Sequence, residues 1–188
     1  MKKNLITTEK LINFLEENIN SENYVFEKKF LEPLGLSVND LHIQLLVGKK
    51  RGLKLERIGF NIYAYDTDKY NINGNILYKI AKLIKPEKFK YLSVENALAY
   101  HKFVDDFCPN YLTFVQRKGD NYFFDCKKYG FIEILKTKCS MAEIENDVVF
   151  DENLGVYVAN LELALQDMGI YKRDLTSIID KYLENNLT

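Results

Sequence analysis

The sequence of 188 residues has no tryptophan, only three cysteines and only two histidines. Cys108, Cys126 and Cys139 are widely spaced and include no Cys-x-x-Cys pair, which argues against a zinc site and a disulfide framework. We expect buried thiols in a reducing cytosol. His42 and His101 stand without catalytic partners, and neither a Gly-x-x-x-x-Gly-Lys motif nor a nucleophile elbow occurs. The sequence therefore predicts no metal, no cofactor and no enzyme.

Long apolar runs are also missing. No segment approaches the roughly 20 apolar residues that a membrane-spanning helix needs. Met1-Lys2-Lys3 is not followed by the apolar core of a signal peptide. These absences predict a cytoplasmic protein without a membrane partner.

The chain is instead rich in aromatic residues and uneven in charge. It holds 13 tyrosines and 12 phenylalanines, enough for packed aromatic cores, and its length fits one large or two small domains. Residues 1–90 hold 16 Lys and Arg against 11 Asp and Glu, whereas residues 91–188 hold 10 against 16. A basic front half and an acidic rear half fit a nucleic-acid-facing module joined to another module. Ordinary scatter of charge is the alternative.

The clearest local pattern is a pair of helices joined by a tight turn. Residues Phe26–Leu34 place apolar side chains at helical spacing, and Gly35 ends that helix because glycine adopts the left-handed conformation readily. Ser37 can cap a second helix that runs over Ser37–Arg51, and Gly52 closes it.

A short hairpin follows, with strands predicted over 53–56 and 62–65 around a turn near Gly59. An amphipathic helix over Thr7–Ile19 completes a three-helix core. Residues 1–70 therefore predict a winged helix-turn-helix, a fold that places one helix in a nucleic-acid groove.

The remaining chain predicts a linking helix and a second α+β domain. Residues 71–90 contain a helical pattern over 75–85 that Pro86 stops. Residues 91–188 begin with a helix capped by Ser93, continue through short strands, and end in helices capped by Asn160 and Asp174. The strands read as hairpins, so we expect an antiparallel sheet with flanking helices.

A basic group lies where the second helix meets the hairpin, comprising Lys49, Lys50, Arg51, Lys54 and Arg57. Long cationic side chains at a helix end and on a wing suit phosphate contacts. A solvated helix terminus, where lysines offset the helix dipole, is the alternative.

Other residues of the second helix fall away from its predicted core face. Asn39 and Gln44 are suited to adenine edges. Ile43 and Val47 either touch thymine methyl groups or form a contact with another protein. His42 lies nearer the core edge, which predicts a structural role.

Two further groups of polar residues indicate a function less strongly. The predicted central hairpin of the rear domain is flanked by Arg117, Lys118, Lys127 and Lys128, which form either a second anionic contact or a charged edge that blocks aggregation. The pair Asp66 and Asp68 resembles part of a metal site, but the Gly-Ser turn of a nucleotidyltransferase does not precede it.

Four segments together resemble one family. They are YLSVENALAYH over Tyr91–His101, TFVQRK over Thr113–Lys118, VYVANLELALQD over Val156–Asp167, and the basic helix–wing pattern over Leu46–Tyr63. In this order and spacing they resemble the AbiEi family, whose members are antitoxins of type IV toxin–antitoxin and abortive-infection systems. The wing differs from the family pattern, because Gly59-Phe60-Asn61 stands where Arg-Gly is usual.

The resemblance implies a transcriptional regulator of a phage-defence system. Its winged helix would bind promoter DNA and repress its own operon, as a monomer or a homodimer. Its rear domain would counter a nucleotidyltransferase-like toxin encoded alongside. Two other hypotheses stay open: a protein-interaction module whose winged helix is only a scaffold, and an enzyme that acts on nucleotides through Asp66.

Overall fold

The computed structural model describes residues 7–104 and 110–173, which combine helices with two β-sheets. The chain divides into two compact units, Met1–Leu83 and Ile84–Thr188. The division falls within the segment 71–90 that the sequence assigns to a linking helix.

The first unit begins with helix α1, Thr8–Asn18, where the Thr7 side chain accepts a hydrogen bond from the Lys10 amide. Strand β1, Val25–Glu27, and a 3₁₀ helix, Lys28–Leu34, follow. The predicted α-helix over 26–34 is therefore wrong. Pro33 lies inside that segment and has no N–H for an α-helical bond, which favours the shorter 3₁₀ form.

Helix α2, Val38–Gly48, starts at the predicted cap. The Ser37 hydroxyl accepts from the Asp40 amide at 3.1 Å, and the Asp40 carboxylate accepts from the Ser37 amide at 3.0 Å, forming a capping box. A 3₁₀ turn over Lys49–Arg51 extends the helix, and Gly52 ends it with φ of 85°.

Strands β2, Leu55–Arg57, and β3, Ile62–Tyr65, form the hairpin. They join β1 in an antiparallel sheet of order β1-β3-β2. Helix α3, Thr67–Tyr70, lies in the connection, and helix α4, Ile76–Leu83, packs against β1. The core of this unit is aromatic, with the Phe26 and Phe30 ring centres 4.9 Å apart.

The second unit contains short helices and strands in alternation. Its strands are β4 Lys90–Leu92, β5 Tyr111–Arg117, β6 Tyr122–Asp125, β7 Phe131–Thr137, β8 Val148–Asp151 and β9 Val156–Ala159. Its helices are α5 Val94–Tyr100, α6 Met141–Ile144 and α7 Leu161–Ile170, besides a 3₁₀ turn over Lys127–Tyr129.

The strands form a sheet of order β6-β7-β5-β4-β9-β8. Strands β5 and β7 pair in parallel over their full lengths, and β4 pairs in parallel with β9. The expected antiparallel sheet is therefore wrong in this unit, where the sheet is mixed. The hairpin predicted around Gly155 is present as the antiparallel pair β8 and β9.

A buried carboxylate ties α7 to the sheet. The Asp167 Oδ2 atom accepts hydrogen bonds from the Ser93 hydroxyl at 2.6 Å and the Tyr91 hydroxyl at 3.1 Å. The Ser93 hydroxyl therefore donates to Asp167. The sequence predicts instead that Ser93 caps the start of α5, and its side chain makes no such cap bond. The next residue, Val94, has φ of 47°, an unusual value for a β-branched residue.

An arginine at the end of α7 makes the other polar anchor. The Arg173 guanidinium pairs with the Glu133 carboxylate, and its Nε atom lies 3.7 Å from Glu95 Oε1. The Tyr111 hydroxyl also donates to Glu133 at 3.0 Å. The last predicted helix, which begins at Asp174, lies outside the described residues, as does Cys108.

Candidate nucleic-acid interface

Helix α2 has one buried side and one exposed side. Leu41, Gln44 and Gly48 are buried, whereas Asn39 and Ile43 are exposed. Gly48 brings the end of the helix against the hairpin, since a Cβ there would lie 2.6 Å from Leu53 Cδ2. The outer side of α2 is thus presented beside the β2–β3 hairpin.

Three cations follow directly at the end of this helix. Lys49, Lys50 and Arg51 are all exposed in the 3₁₀ turn. Within residues 7–104 and 110–173, none of the three forms a salt bridge. Their charges are therefore available to an external anion, and the helix end positions them together.

Lys54 and Arg57, the other two predicted phosphate contacts, are engaged within the unit. The Lys54 ammonium lies 2.9 Å from Asp66 Oδ2. The Arg57 Nε atom donates to the Gly59 carbonyl at 3.0 Å, and its Nη2 atom donates to the Phe60 carbonyl at 3.2 Å. These bonds make Arg57 a brace of the hairpin turn, whose Phe60 side chain is 81% exposed.

Arg57 also acts on its cross-strand neighbour. Burial raises the pKa of Tyr63, and the charge of Arg57 partly offsets that rise. Arg57 and Tyr63 occupy paired positions on β2 and β3. The hydrogen bonds of Arg57 brace the hairpin turn, and its charge favours the ionised form of Tyr63.

Gln44 is not placed to read a base. Its side chain is 7% exposed, and its Oε1 atom accepts a hydrogen bond from the Thr8 hydroxyl at 2.8 Å. The prediction for Gln44 is corrected, because its amide joins α1 to α2 inside the unit. Asn39 keeps an exposed position on the outer side of the helix.

The exposed side of α2 is more apolar than the sequence predicts. Ile43 and Val47 are exposed as expected, with 46% and 42% of their surface accessible. Val38 and Leu46 are exposed as well, at 61% and 65%. Sequence reasoning missed Leu46, although its spacing of seven from Asn39 and four from Lys50 places it on the same line of the helix. His42 is also exposed, so its predicted position near the core edge is wrong.

The predicted second basic group does not form one cluster. Arg117 pairs with Thr137 at one end of β7, and Lys118 follows it. Lys127 and Lys128 follow Asp125, which pairs with Phe131 at the other end of β7. Six residue steps along a strand correspond to roughly 20 Å, so one small anion does not bridge the two pairs.

The remaining candidates are the acidic pair and the cysteines, which the sequence connects only weakly with a function. The Asp66 carboxylate is engaged by Lys54, whereas Asp68 is exposed in α3. Among the described residues, no three His, Cys, Asp or Glu side chains are grouped as metal ligands. Cys126 is a free buried thiol, and its burial raises the pKa to about 12.

The sequence matches no protein-family model and no curated protein. In residues 7–104 and 110–173, no helix is both long and apolar enough to cross a bilayer.

Proposed function

We propose that this chain is a DNA-binding regulator with a winged helix-turn-helix in its first unit. The order of elements supports this assignment: helix, strand, short helix, α2, and a hairpin that completes the sheet β1-β3-β2. In such a fold, the second helix of the turn enters the major groove and the hairpin acts as the wing.

The observation that carries the proposal is the cationic end of α2. Lys49, Lys50 and Arg51 are exposed, adjacent in the chain and without salt bridges among the described residues. Each phosphate contact releases counterions from DNA, which makes such a group favourable for duplex binding. Lys54 and Arg57 shape the wing and add to the local positive charge.

We further propose that the whole chain acts as a cytoplasmic antitoxin and autorepressor of the AbiEi type. The resemblance over Tyr91–His101, Thr113–Lys118 and Val156–Asp167 supports this part. The structure gives several of those residues packing roles, since Tyr91 and Ser93 bind Asp167. The second unit would counter a nucleotidyltransferase-like toxin encoded beside the regulator.

A mobility-shift assay tests the DNA-binding function. The full chain is expected to retard a duplex of the DNA upstream of its own coding sequence. The Lys50→Ala plus Arg51→Ala variant should bind more weakly, by about tenfold if each phosphate contact contributes roughly 0.7 kcal/mol. A control variant, Lys10→Ala plus Lys82→Ala, loses the same charge from α1 and α4 and should bind like the wild type.

The exposed aliphatic residues of α2 favour a second candidate function, a protein-interaction module. In that case the full chain would leave the upstream duplex unshifted but would bind the toxin when the two are co-expressed. Ile43→Asp would then abolish the protein complex, because it places a charge within the apolar contact. The mobility shift by the wild-type chain therefore decides between the two functions.

A further inference from the structure

One line of side chains runs along the exposed side of α2. Asn39, Ile43 and Leu46 are spaced by four and three residues, which places them above one another on α2, and Lys50 lies four residues further on in the 3₁₀ turn that extends the helix. All four are exposed, and the buried residues Leu41, Gln44 and Gly48 lie on the opposite side. We call these four residues the outer stripe.

The chemistry of the outer stripe favours A·T base pairs. An asparagine amide can pair with both the N7 and N6 positions of adenine in the major groove. Aliphatic side chains pack against the 5-methyl group of thymine, which cytosine lacks. Lys50, at the end of the stripe, is suited to a phosphate.

Groups that read G·C pairs are missing from the α2 part of the stripe. Helix α2, Val38–Gly48, contains no arginine, the residue that most often contacts guanine. Its acidic residue, Asp40, is held in the capping box with Ser37, where it serves the helix start. An acidic acceptor for the cytosine amino group is therefore not presented on the stripe.

The surroundings of the stripe favour DNA over a protein as its occupant. The aliphatic residues adjoin Lys49, Lys50 and Arg51, whose charges complement a phosphate backbone. Asn39 stands at the other end of the outer stripe, so its two aliphatic residues, Ile43 and Leu46, have polar groups at both ends.

We propose that the outer stripe reads A·T-rich duplex DNA, with Asn39 on adenine and with Ile43 and Leu46 against thymine methyl groups. This inference rests on the proposed DNA-binding function and adds the base composition of its target. Lys49, Lys50 and Arg51, at the end of α2, contact the phosphate backbone beside the groove.

The test begins with a pool of duplexes that carry 20 random base pairs. Duplexes retained by the full chain are enriched and sequenced, and A·T pairs should dominate the enriched positions. The strongest duplex is then made in two forms, one with thymine and one with deoxyuracil, which differ only in the 5-methyl groups. Wild-type affinity should fall about fourfold for each contacted methyl group that is removed.

Variants connect that loss to the stripe. Ile43→Ser plus Leu46→Ser should bind the thymine and deoxyuracil duplexes equally and keep the salt dependence of the wild type. Serine is close to isoleucine in helix propensity and costs at most about 0.7 kcal/mol relative to leucine, so the helix is expected to persist. Ile72→Ser is the matched control, because Ile72 is 83% exposed in the connection before α4, and it should keep the thymine preference.

The outcomes distinguish failure of the A·T readout from failure of the proposed DNA-binding function. Three results overturn the A·T readout: a G·C-rich consensus, no consensus, or equal wild-type affinity for the thymine and deoxyuracil duplexes. If the wild type still binds duplex DNA in a salt-dependent way, the proposed function stands despite any of these results. A double-serine variant that still prefers thymine also overturns the readout. Loss of all salt-dependent duplex binding by the wild type removes the proposed function itself.

Discussion

At the residue scale, Asp167 is a buried carboxylate that holds two parts of the second unit together. Its side chain is 1% exposed and accepts from Ser93 and Tyr91 through a single oxygen atom. Burial raises the pKa of Asp167 above its ordinary value of 3.8, and the two hydrogen bonds only partly oppose that rise. The carboxylate therefore links α7 to β4 while its charge opposes folding.

This leads to a prediction about pH. A carboxyl group with a raised pKa in the fold stabilises most below its unfolded pKa, and that contribution is lost as pH rises through the folded pKa. Asp167→Asn removes the titration. The unfolding free energy of the wild type should therefore fall relative to that of the variant as pH rises above about 4. The maximal slope is about 1.4 kcal/mol per pH unit, measured by urea unfolding.

Asp151, another carboxylate of the second unit, supplies the control with the opposite sign. Hydrogen bonds from the Leu154 amide and the Tyr100 hydroxyl lower the pKa of Asp151. Asp151→Asn should therefore differ from the wild type in its pH dependence only below about pH 4, where the wild type loses the stability that those bonds provide. A wild type whose unfolding free energy stays constant or rises relative to that of Asp167→Asn over the same pH range would contradict the account of Asp167.

Gln44 shows which features of a side chain can be predicted from the sequence and which cannot. Helical periodicity gives the direction of a side chain around its own helix, and Gln44 lies near the edge of the buried side of α2. Its partner, Thr8, is 36 residues away on α1, so no local pattern indicates the hydrogen bond. The positions of Asn39, Lys49, Lys50 and Arg51 are predictable because they depend only on the helix that carries them.

At the element scale, the helix starts follow from local chemistry. Thr7, Ser37 and Asn160 each accept a hydrogen bond from an amide in the first turn of the helix that follows. Residues near each cap therefore suffice to predict where α1, α2 and α7 begin. The segment 25–34 behaves differently, because β1 forms through pairing with β3, about forty residues further along the chain.

The hairpin gives a prediction about an element. Arg57→Lys keeps the charge but loses the planar fork that donates to the Gly59 and Phe60 carbonyls. Amide hydrogen exchange over residues 58–61 should therefore become faster, and the salt dependence of DNA binding should stay the same. Lys50→Ala should leave hydrogen exchange over residues 58–61 unchanged and should weaken the salt dependence of DNA binding. Lys50 makes no hydrogen bond to a carbonyl of the hairpin in the described structure. Unchanged exchange in Arg57→Lys would contradict the role of Arg57 as a brace.

At the scale of the whole molecule, the two sheets differ in how far they follow from the sequence. The first sheet includes the hairpin β2 and β3, whose turn is visible as Gly59-Phe60-Asn61. In the second sheet, β7 lies between β5 and β6, and β4 contacts β9 across more than sixty residues of sequence. Such parallel pairings depend on packing between distant segments, and no turn motif in the sequence predicts them.

The two units also carry different parts of the functional proposal. The first unit offers exposed cations and an exposed helix side, which point to an external partner. Several polar residues of the second unit's motifs make internal contacts, as the Glu95–Arg173 pair and the hydrogen bonds of Tyr91 and Ser93 to Asp167 show. The proposed toxin contact therefore rests on the family resemblance, whereas the DNA contact rests on surface chemistry.

The most direct test of the central claim is the salt dependence of binding to the upstream duplex, measured by fluorescence anisotropy with the full chain. Log affinity against log salt should be linear, and Lys50→Ala plus Arg51→Ala should make its slope shallower by about 1.8, or roughly 0.9 for each lost phosphate contact. Lys10→Ala plus Lys82→Ala should leave the slope unchanged. Equal slopes for the wild type and the Lys50 and Arg51 variant would contradict the claim that the end of α2 binds phosphate.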